Sequence, residues 1–247
     1  MGSQGHGQAA SKNQRLSYYS YSFSGRLTVM SDREEISLFP IPNVVAFPGT
    51  VMPLHVFEPR YRALINDAVD QNRMIGVCHT VKEIRSAPVD QSLEQALSTN
   101  QATYLPVDVF SAGTCEILET TDDGRILANI HISRRFVAKE EIQTLPYRVV
   151  TAEELRDDPL EDDLQAVCAA IHDLLLNLIA EQHPASADAI REEKWEDLPC
   201  SEYSFKIFQV LRFDADIMQS LLSLTSTAER LQRIYALLTG EKFPQGS

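Results

Sequence analysis

Ser204 and Lys206 stand two residues apart, and a hydroxyl beside an amine is the pair that a serine-lysine peptidase uses as nucleophile and base. No surrounding signature of such a dyad accompanies them, so an ordinary helix surface is the expected reading. Cys78 and His79 bring a thiol next to an imidazole, but neighbours in a strand point to opposite faces and cannot act on one atom together. The histidines His6, His55, His79, His131, His172 and His183 share no paired ligand spacing, and no HExxH helix occurs. The acidic run from Glu153 to Asp163 lacks the alternating ligands and glycine of a calcium loop, and a solvated helix start is expected there. Trp195 follows Arg191-Glu192-Glu193-Lys194 and is expected to be a lid over the core rather than an exposed anchor. The phosphate-cradling GxxxxGK[ST] and GxGxxG loops and the GxSxG hydrolase elbow are absent, so no local motif supplies a catalytic centre.

The elements that would position any site change character along the chain. From Ile36, short apolar runs are broken by Pro40, Pro42, Pro48, Gly49 and Pro53, a pattern of extended segments and tight turns. Pro59 then sits where a first helical residue would, and Tyr61, Leu64, Ile65, Ala68 and Val69 recur with helical period, predicting a helix over 59–71. A strand is expected over 74–79, and a long polar loop over 81–101 with a helical turn near 93–97. Further strands are expected over 104–110, 113–119, 125–132, 136–142 and 147–151. Asp122-Asp123-Gly124 makes a hairpin turn, and Ile126, Ala128, Ile130 and Ile132 alternate after it. The period changes near Glu153. Leu160, Leu164, Val167, Cys168, Ile171, Leu174, Leu175, Leu178 and Ile179 form a wide helical stripe. Three shorter helices are expected over 200–211, 214–222 and 226–239, the last opening with the capping box Ser226-Thr227-Ala228-Glu229 and closing at Gly240.

The chain has 22 Lys+Arg against 35 Asp+Glu, a net charge of −13, which disfavours nucleic acid as a partner because phosphate binding draws on clustered cations. The longest apolar stretch, 174–180, is interrupted by Asn177 and falls far short of the ~20 residues that span a bilayer. The first residues lack the apolar core of a secretory signal, so a cytoplasmic location is expected. Cys78, Cys115, Cys168 and Cys200 never approach a CxxC spacing and read as free thiols, with neither disulfide nor metal site and no cofactor expected. Residues 1–35 read as a disordered leader or tag, in which Met30 is a candidate original start, and 241–247 as a tail.

The run Leu38-Phe39-Pro40-Ile41-Pro42-Asn43-Val44-Val45-Ala46-Phe47-Pro48-Gly49-Thr50-Val51-Met52-Pro53-Leu54-His55-Val56-Phe57-Glu58-Pro59-Arg60-Tyr61 resembles the opening of the amino-terminal substrate-recognition domain of Lon proteases, in its stand-alone bacterial form. Gly113-Thr114, the Asp-Gly hairpin, Ser133-Arg134-Arg135-Phe136, and the closing segment from Phe213-Asp214-Ala215-Asp216 to Arg230-Leu231 are similar to later blocks of that family. Two departures stand out: the 81–101 segment is longer than usual, and Ser133 stands where many relatives have glycine. The resemblance implies an α+β fold, with a PUA-like β-barrel subdomain over 36–152 followed by an α-helical bundle subdomain over 153–240. It further implies a chain without the ATPase and serine-lysine peptidase modules of the full protease, and so without catalysis.

The function so implied is a peptidase-S16-like, non-catalytic module that binds unfolded or damaged polypeptides, or one specific protein partner. Its expected peptide contacts lie where the turn enters the first helix, near the junction of the subdomains. Phe57 and Tyr61 would give apolar contact, Arg60 a carboxylate or carbonyl contact, and Glu58 a positioning hydrogen bond. Two alternatives stay open: a hydrolase or peptidase assembled from distant residues, and, more weakly, RNA binding by Arg125, Arg134, Arg135 and Arg148 gathered on one face.

Overall fold

The computed structural model describes residues 33–86, 92, 95, 102–160 and 163–241. The expected leader, apart from its last three residues, and the tail after Glu241 lie outside them. Strand β1 (Arg33–Pro40) begins inside the stretch read as leader, a correction with a clear cause: Arg33, Glu34 and Glu35 pair in register with Glu153, Ala152 and Thr151. Their charges are also matched, Arg33 to Glu153 at 2.9 Å, Glu34 to Arg134 at 2.5 Å and Glu35 to Arg73 at 3.2 Å.

Strand β2 (Val51–Val56) leads through Phe57 and Glu58 into helix α1 (Pro59–Asp70), which has proline in its first turn and buries Tyr61, Leu64, Ile65 and Ala68 as its period requires. There follow β3 (Ile75–Cys78), β4 (Thr80–Arg85), β5 (Thr103–Pro106), β6 (Val109–Thr120), β7 (Ile126–Gln143) and β8 (Arg148–Glu154). The start of the expected polar loop is thus strand, with β4 paired to β5 in a separate two-stranded ribbon. Of the expected turn near 93–97 only Gln95 is described; it is helical and exchanges backbone-to-side-chain bonds with Ser92. The two strands expected over 125–132 and 136–142 are one continuous strand, β7.

The main sheet runs β2-β7-β6-β3-β1-β8 and closes on itself because β8 also pairs with β7. Both faces are apolar. On β3, Ile75 and Val77 join α1 in one cluster, while Cys78 joins Ile36, Leu38, Phe110, Phe136 and Val150 in another built from strands alone. Strand β7 serves both clusters through one extra residue. Gly113 of β6 pairs with Ile132 and Ala112 pairs with Arg134, so Ser133 is a β-bulge. Before it Ile126, Ala128, Ile130 and Ile132 face α1; after it Phe136 faces the strand-only cluster, which turns Arg135 the opposite way. Gly113 is required opposite the bulge, since a Cβ there would stand 1.8 Å from the His131 carbonyl oxygen.

After β8 the chain is helical: α2 (Gln165–Gln182), α3 (Pro184–Glu192), a 3₁₀ turn at Trp195–Asp197, α4 (Cys200–Lys206), a second 3₁₀ turn at Ile207–Gln209, α5 (Ala215–Ser223) and α6 (Thr227–Thr239). The α6 caps are those expected, with Ser226 Oγ accepting from the Glu229 N–H at 3.2 Å and Gly240 left-handed at φ 74°. Trp195 is buried as a lid. Two expectations are corrected. Helix α2 starts at Gln165, so Asp157 and Asp158 lie ahead of its first turn and Leu160 stays outside the stripe, half-exposed. Helix α3 was not anticipated, because only Ala187 and Ile190 anchor its short inner face.

The barrel and the helices are sewn together by residues 44–47. Val44 and Ala46 pack in the α1-side cluster, whereas Val45 and Phe47 pack among the helices, with the Phe47 ring stacked on Phe208 at 3.9 Å. An extended chain with period two sends alternate side chains into two cores.

Candidate functional site: a cleft at the β7 bulge

Strand β7 changes partners along one edge. Through Ile132 it pairs with β2 and the residues just before it, the Ile132 carbonyl accepting from Gly49 N–H and the Ile132 N–H donating to Thr50 carbonyl, both at 2.9 Å. From Arg135 onward it pairs with β8, the Arg135 carbonyl accepting from Leu155 N–H at 2.8 Å. Ser133 and Arg134 fall between the two partners. They open onto a cleft of about 650 Å³, closed on one side by the barrel and on the other by α4. Pro48, Ile132, Leu155, Leu198 and Phe205 give it apolar walls, and Ser133, Arg134, Glu202 and Lys206 give it polar ones. That size and mixture suit a few residues of an extended chain.

The back of the cleft is a buried charge cluster. Arg135, 3% exposed, and Arg230, 0% exposed, both donate to the carboxylate of Asp157: Arg135 through Nη2 in a short contact, Arg230 through Nη1 at 3.1 Å and Nη2 at 2.5 Å. Thr227 Oγ1 adds a fourth bond to Asp157 at 3.0 Å. Two guanidinium groups against one carboxylate leave a surplus positive charge, and the C-terminal end of α5 absorbs it. Arg135 Nη1 donates to the carbonyls of Leu222 at 2.5 Å and Leu224 at 2.6 Å, and Arg230 Nη1 to Leu224 at 2.9 Å. The Phe205 ring lies against both cations, 3.9 Å from Arg230 and 4.8 Å from Arg135. Burial draws the Arg135 pKa down to about 10 against the opposing pull of Asp157, which leaves it charged at neutral pH. The cluster thus ties β7, the segment after β8, α4, α5 and α6 to one another.

The turn expected to contact peptide lies elsewhere. The helices meet β2 at its beginning, where Gln209 donates to the Gly49 carbonyl at 2.9 Å, whereas Phe57 follows its far end. Within the turn Phe57 is 38% exposed, and Tyr61 is buried with its ring stacked on Phe39 at 4.3 Å. Arg60 is buried, donating to Glu58 at 3.0 Å, Thr103 Oγ1 at 2.9 Å and the Ala102 carbonyl at 2.6 Å, with its guanidinium 4.5 Å from the Tyr61 ring. Burial raises the Tyr61 pKa to about 12.

The other chemistry-bearing residues are occupied. Ser204 Oγ donates to the Ser201 carbonyl at 2.6 Å and accepts from Arg230 Nε at 2.9 Å, while Lys206 turns to Glu193 at 3.5 Å, so the two form no dyad. Burial pushes the Cys78 thiol far up, and His79 Nδ1 accepts from the Asn43 N–H at 3.0 Å. Among the described residues no cluster of three His, Cys, Asp or Glu side chains is arranged to hold a metal, and no helix is long and apolar enough to cross a membrane. Sequence reading did not find the cleft or its charge cluster. The available signals were the Ser133-Arg134-Arg135-Phe136 block and Arg230 in the closing segment, which the fold brings together around Asp157.

The family model of the ATP-dependent protease La (LON) substrate-binding domain matches residues 35–240. The chain is 24% identical over 211 residues to a Lon protease of Parabacteroides distasonis, covering 84% of this chain and 24% of that protein. To Lon protease 1 of Herpetosiphon aurantiacus it is 24% identical over 222 residues, covering 87% and 25%. It therefore spans about a quarter of the length of these relatives. The fold matches that of a Lon N-terminal domain protein from Xanthomonas campestris, with TM-score 0.54 and 19% identity over 82% of this chain and 97% of that one. It also matches the N-terminal domain of the Mycobacterium avium complex Lon protease, with TM-score 0.60 and 13% identity over 85% and 100%. With its closed mixed sheet followed by helices, the chain belongs to the LON substrate-binding domain family.

Proposed function

We propose that this substrate-binding module is non-catalytic and captures apolar polypeptide segments, either of unfolded or damaged proteins or of one dedicated protein partner, in the cleft at Ser133. The observation that carries the reading is the gap in the barrel wall. Where β7 passes from β2 to β8, a short length of sheet edge lies beside apolar walls, so an extended segment could gain backbone hydrogen bonds and side-chain burial together. The relatives' name, Lon protease, fits a module that receives polypeptide. The Phe57–Tyr61 turn enters this proposal as an outlying contact through Phe57, the member of the set with substantial exposure.

The test is binding of the purified chain to a denatured model protein and to its native form, beside an acidic control protein. Selective, salt-tolerant binding to the denatured form is expected, and Leu155→Glu, which places a charge on the half-buried cleft wall, should weaken it about tenfold or more without unfolding the protein. Equal binding to both forms, or binding untouched by Leu155→Glu, would overturn the cleft assignment.

A further inference from the structure

We infer that the cleft discriminates among polypeptide segments by charge, favouring an apolar segment flanked by lysine or arginine, which Glu202 engages. This rests on the polypeptide-binding reading above and adds a selectivity to it. The ionised groups that line the cleft are nearly all engaged in ion pairs. Arg134 is held by Glu34 at 2.5 Å and by Glu154 at 3.6 Å. Arg135 is spent on Asp157, and Asp157 on Arg135 and Arg230. Glu154 also binds Arg156 at 2.9 Å. Lys206 has Glu193 at 3.5 Å and lies 5.3 Å from the Trp195 ring.

Glu202 is the exception. It is exposed on the cleft side of α4 and has no ion pair or hydrogen bond among the described residues. Lys206, one turn further along α4, is positioned to compensate it, yet its amine is turned away to Glu193 and Trp195. Every cation at the cleft is thus already engaged and one exposed carboxylate is not, so an incoming segment meets Glu202 as the uncompensated charge beside apolar walls. A basic side chain would complete that pairing, while an acidic one would face Glu202 with no cation free to offset it. The net charge of −13 works in the same direction at long range and would speed the approach of basic segments.

The probe is a set of three labelled peptides with one apolar core and a flanking lysine, glutamine or glutamate, measured by fluorescence anisotropy. At low salt the lysine peptide should bind about two- to fivefold more tightly than the glutamine peptide, and the glutamate peptide most weakly, as suits a rim ion pair. The order should flatten near 0.5 M salt, where screening reaches within roughly 5 Å. Glu202→Gln should erase the preference and Glu202→Lys should invert it, while the exposed carboxylate variant Glu119→Gln, away from the cleft, should leave it intact. If all three peptides bind without an order, or the order persists in Glu202→Lys, the charge selectivity is overturned while polypeptide binding stands. If none of the three binds, the binding reading itself falls and the selectivity with it.

Discussion

Two arginine sites in this molecule use the same parts and differ in what they join. Arg60 closes on Glu58 two residues before it and lies against Tyr61 one residue after it, and it also donates to Ala102 and Thr103. Arg135 and Arg230 close on Asp157 and lie against Phe205, drawing together residues up to 95 positions apart. The first site fastens the start of a helix. The second fastens a barrel to a set of helices, and it carries a surplus charge that the carbonyls at the end of α5 and the Phe205 ring offset. A stacked arginine-carboxylate pair therefore fastens one end of a helix in one setting and ties barrel to helices in the other, and the difference lies in how many elements depend on one carboxylate.

That comparison can be tested by removing each site in turn. Asp157→Ala leaves two buried cations without their anion and should cost about 3–5 kcal/mol in urea unfolding. Arg60→Ala removes the charge-assisted hydrogen bonds to Glu58, Thr103 and Ala102 at one end of α1 and should cost less, about 2–3 kcal/mol by the same measurement. An equal loss in the two variants would contradict the distinction. Alkaline unfolding sharpens it further. Burial lifts the Tyr61 pKa to about 12, above the value near 10 of an unfolded tyrosine, so between those values the unfolded chain releases a proton that the folded chain keeps. Stability contributed there is complete below pH 10 and is lost as the pH rises toward 12. Tyr61→Phe should flatten that decline by about 1–2 kcal/mol in denaturant titrations at pH 9 and 11. Phe57→Ser, at the exposed corner of the same turn, should shift stability by no more than about 0.5 kcal/mol, and a thermal melt would show it.

The same contrast explains what could be read from the sequence. Helix α1, the Asp-Gly hairpin and the α6 caps depend on neighbours within a few residues, and each appears where its residues predict. The start of α2 was misplaced because acidic residues are good first-turn residues in isolation, whereas here Asp157 is taken by the arginines and Asp158 by Thr225, whose Oγ1 donates to it at 2.8 Å. Ser133 shows the limit most clearly. A serine in an alternating strand gives no local sign of a bulge, and only the partner strand, with Gly113 opposite, makes it one. The cleft follows from that bulge, from the exchange of β2 for β8 and from the arrival of α4, three long-range events, so its walls could not be assembled from spacing alone.

The thread at residues 44–47 has a mechanical consequence. Because alternate side chains are anchored in separate cores, swivelling the helices against the barrel would have to extract Phe47 from its stack on Phe208 or Ala46 from beneath α1. No low-friction plane runs between the two layers. The jaws of the cleft are consequently held at a set gap before any ligand arrives, and heating should melt barrel and helices in one calorimetric peak rather than as a hinge loosening first.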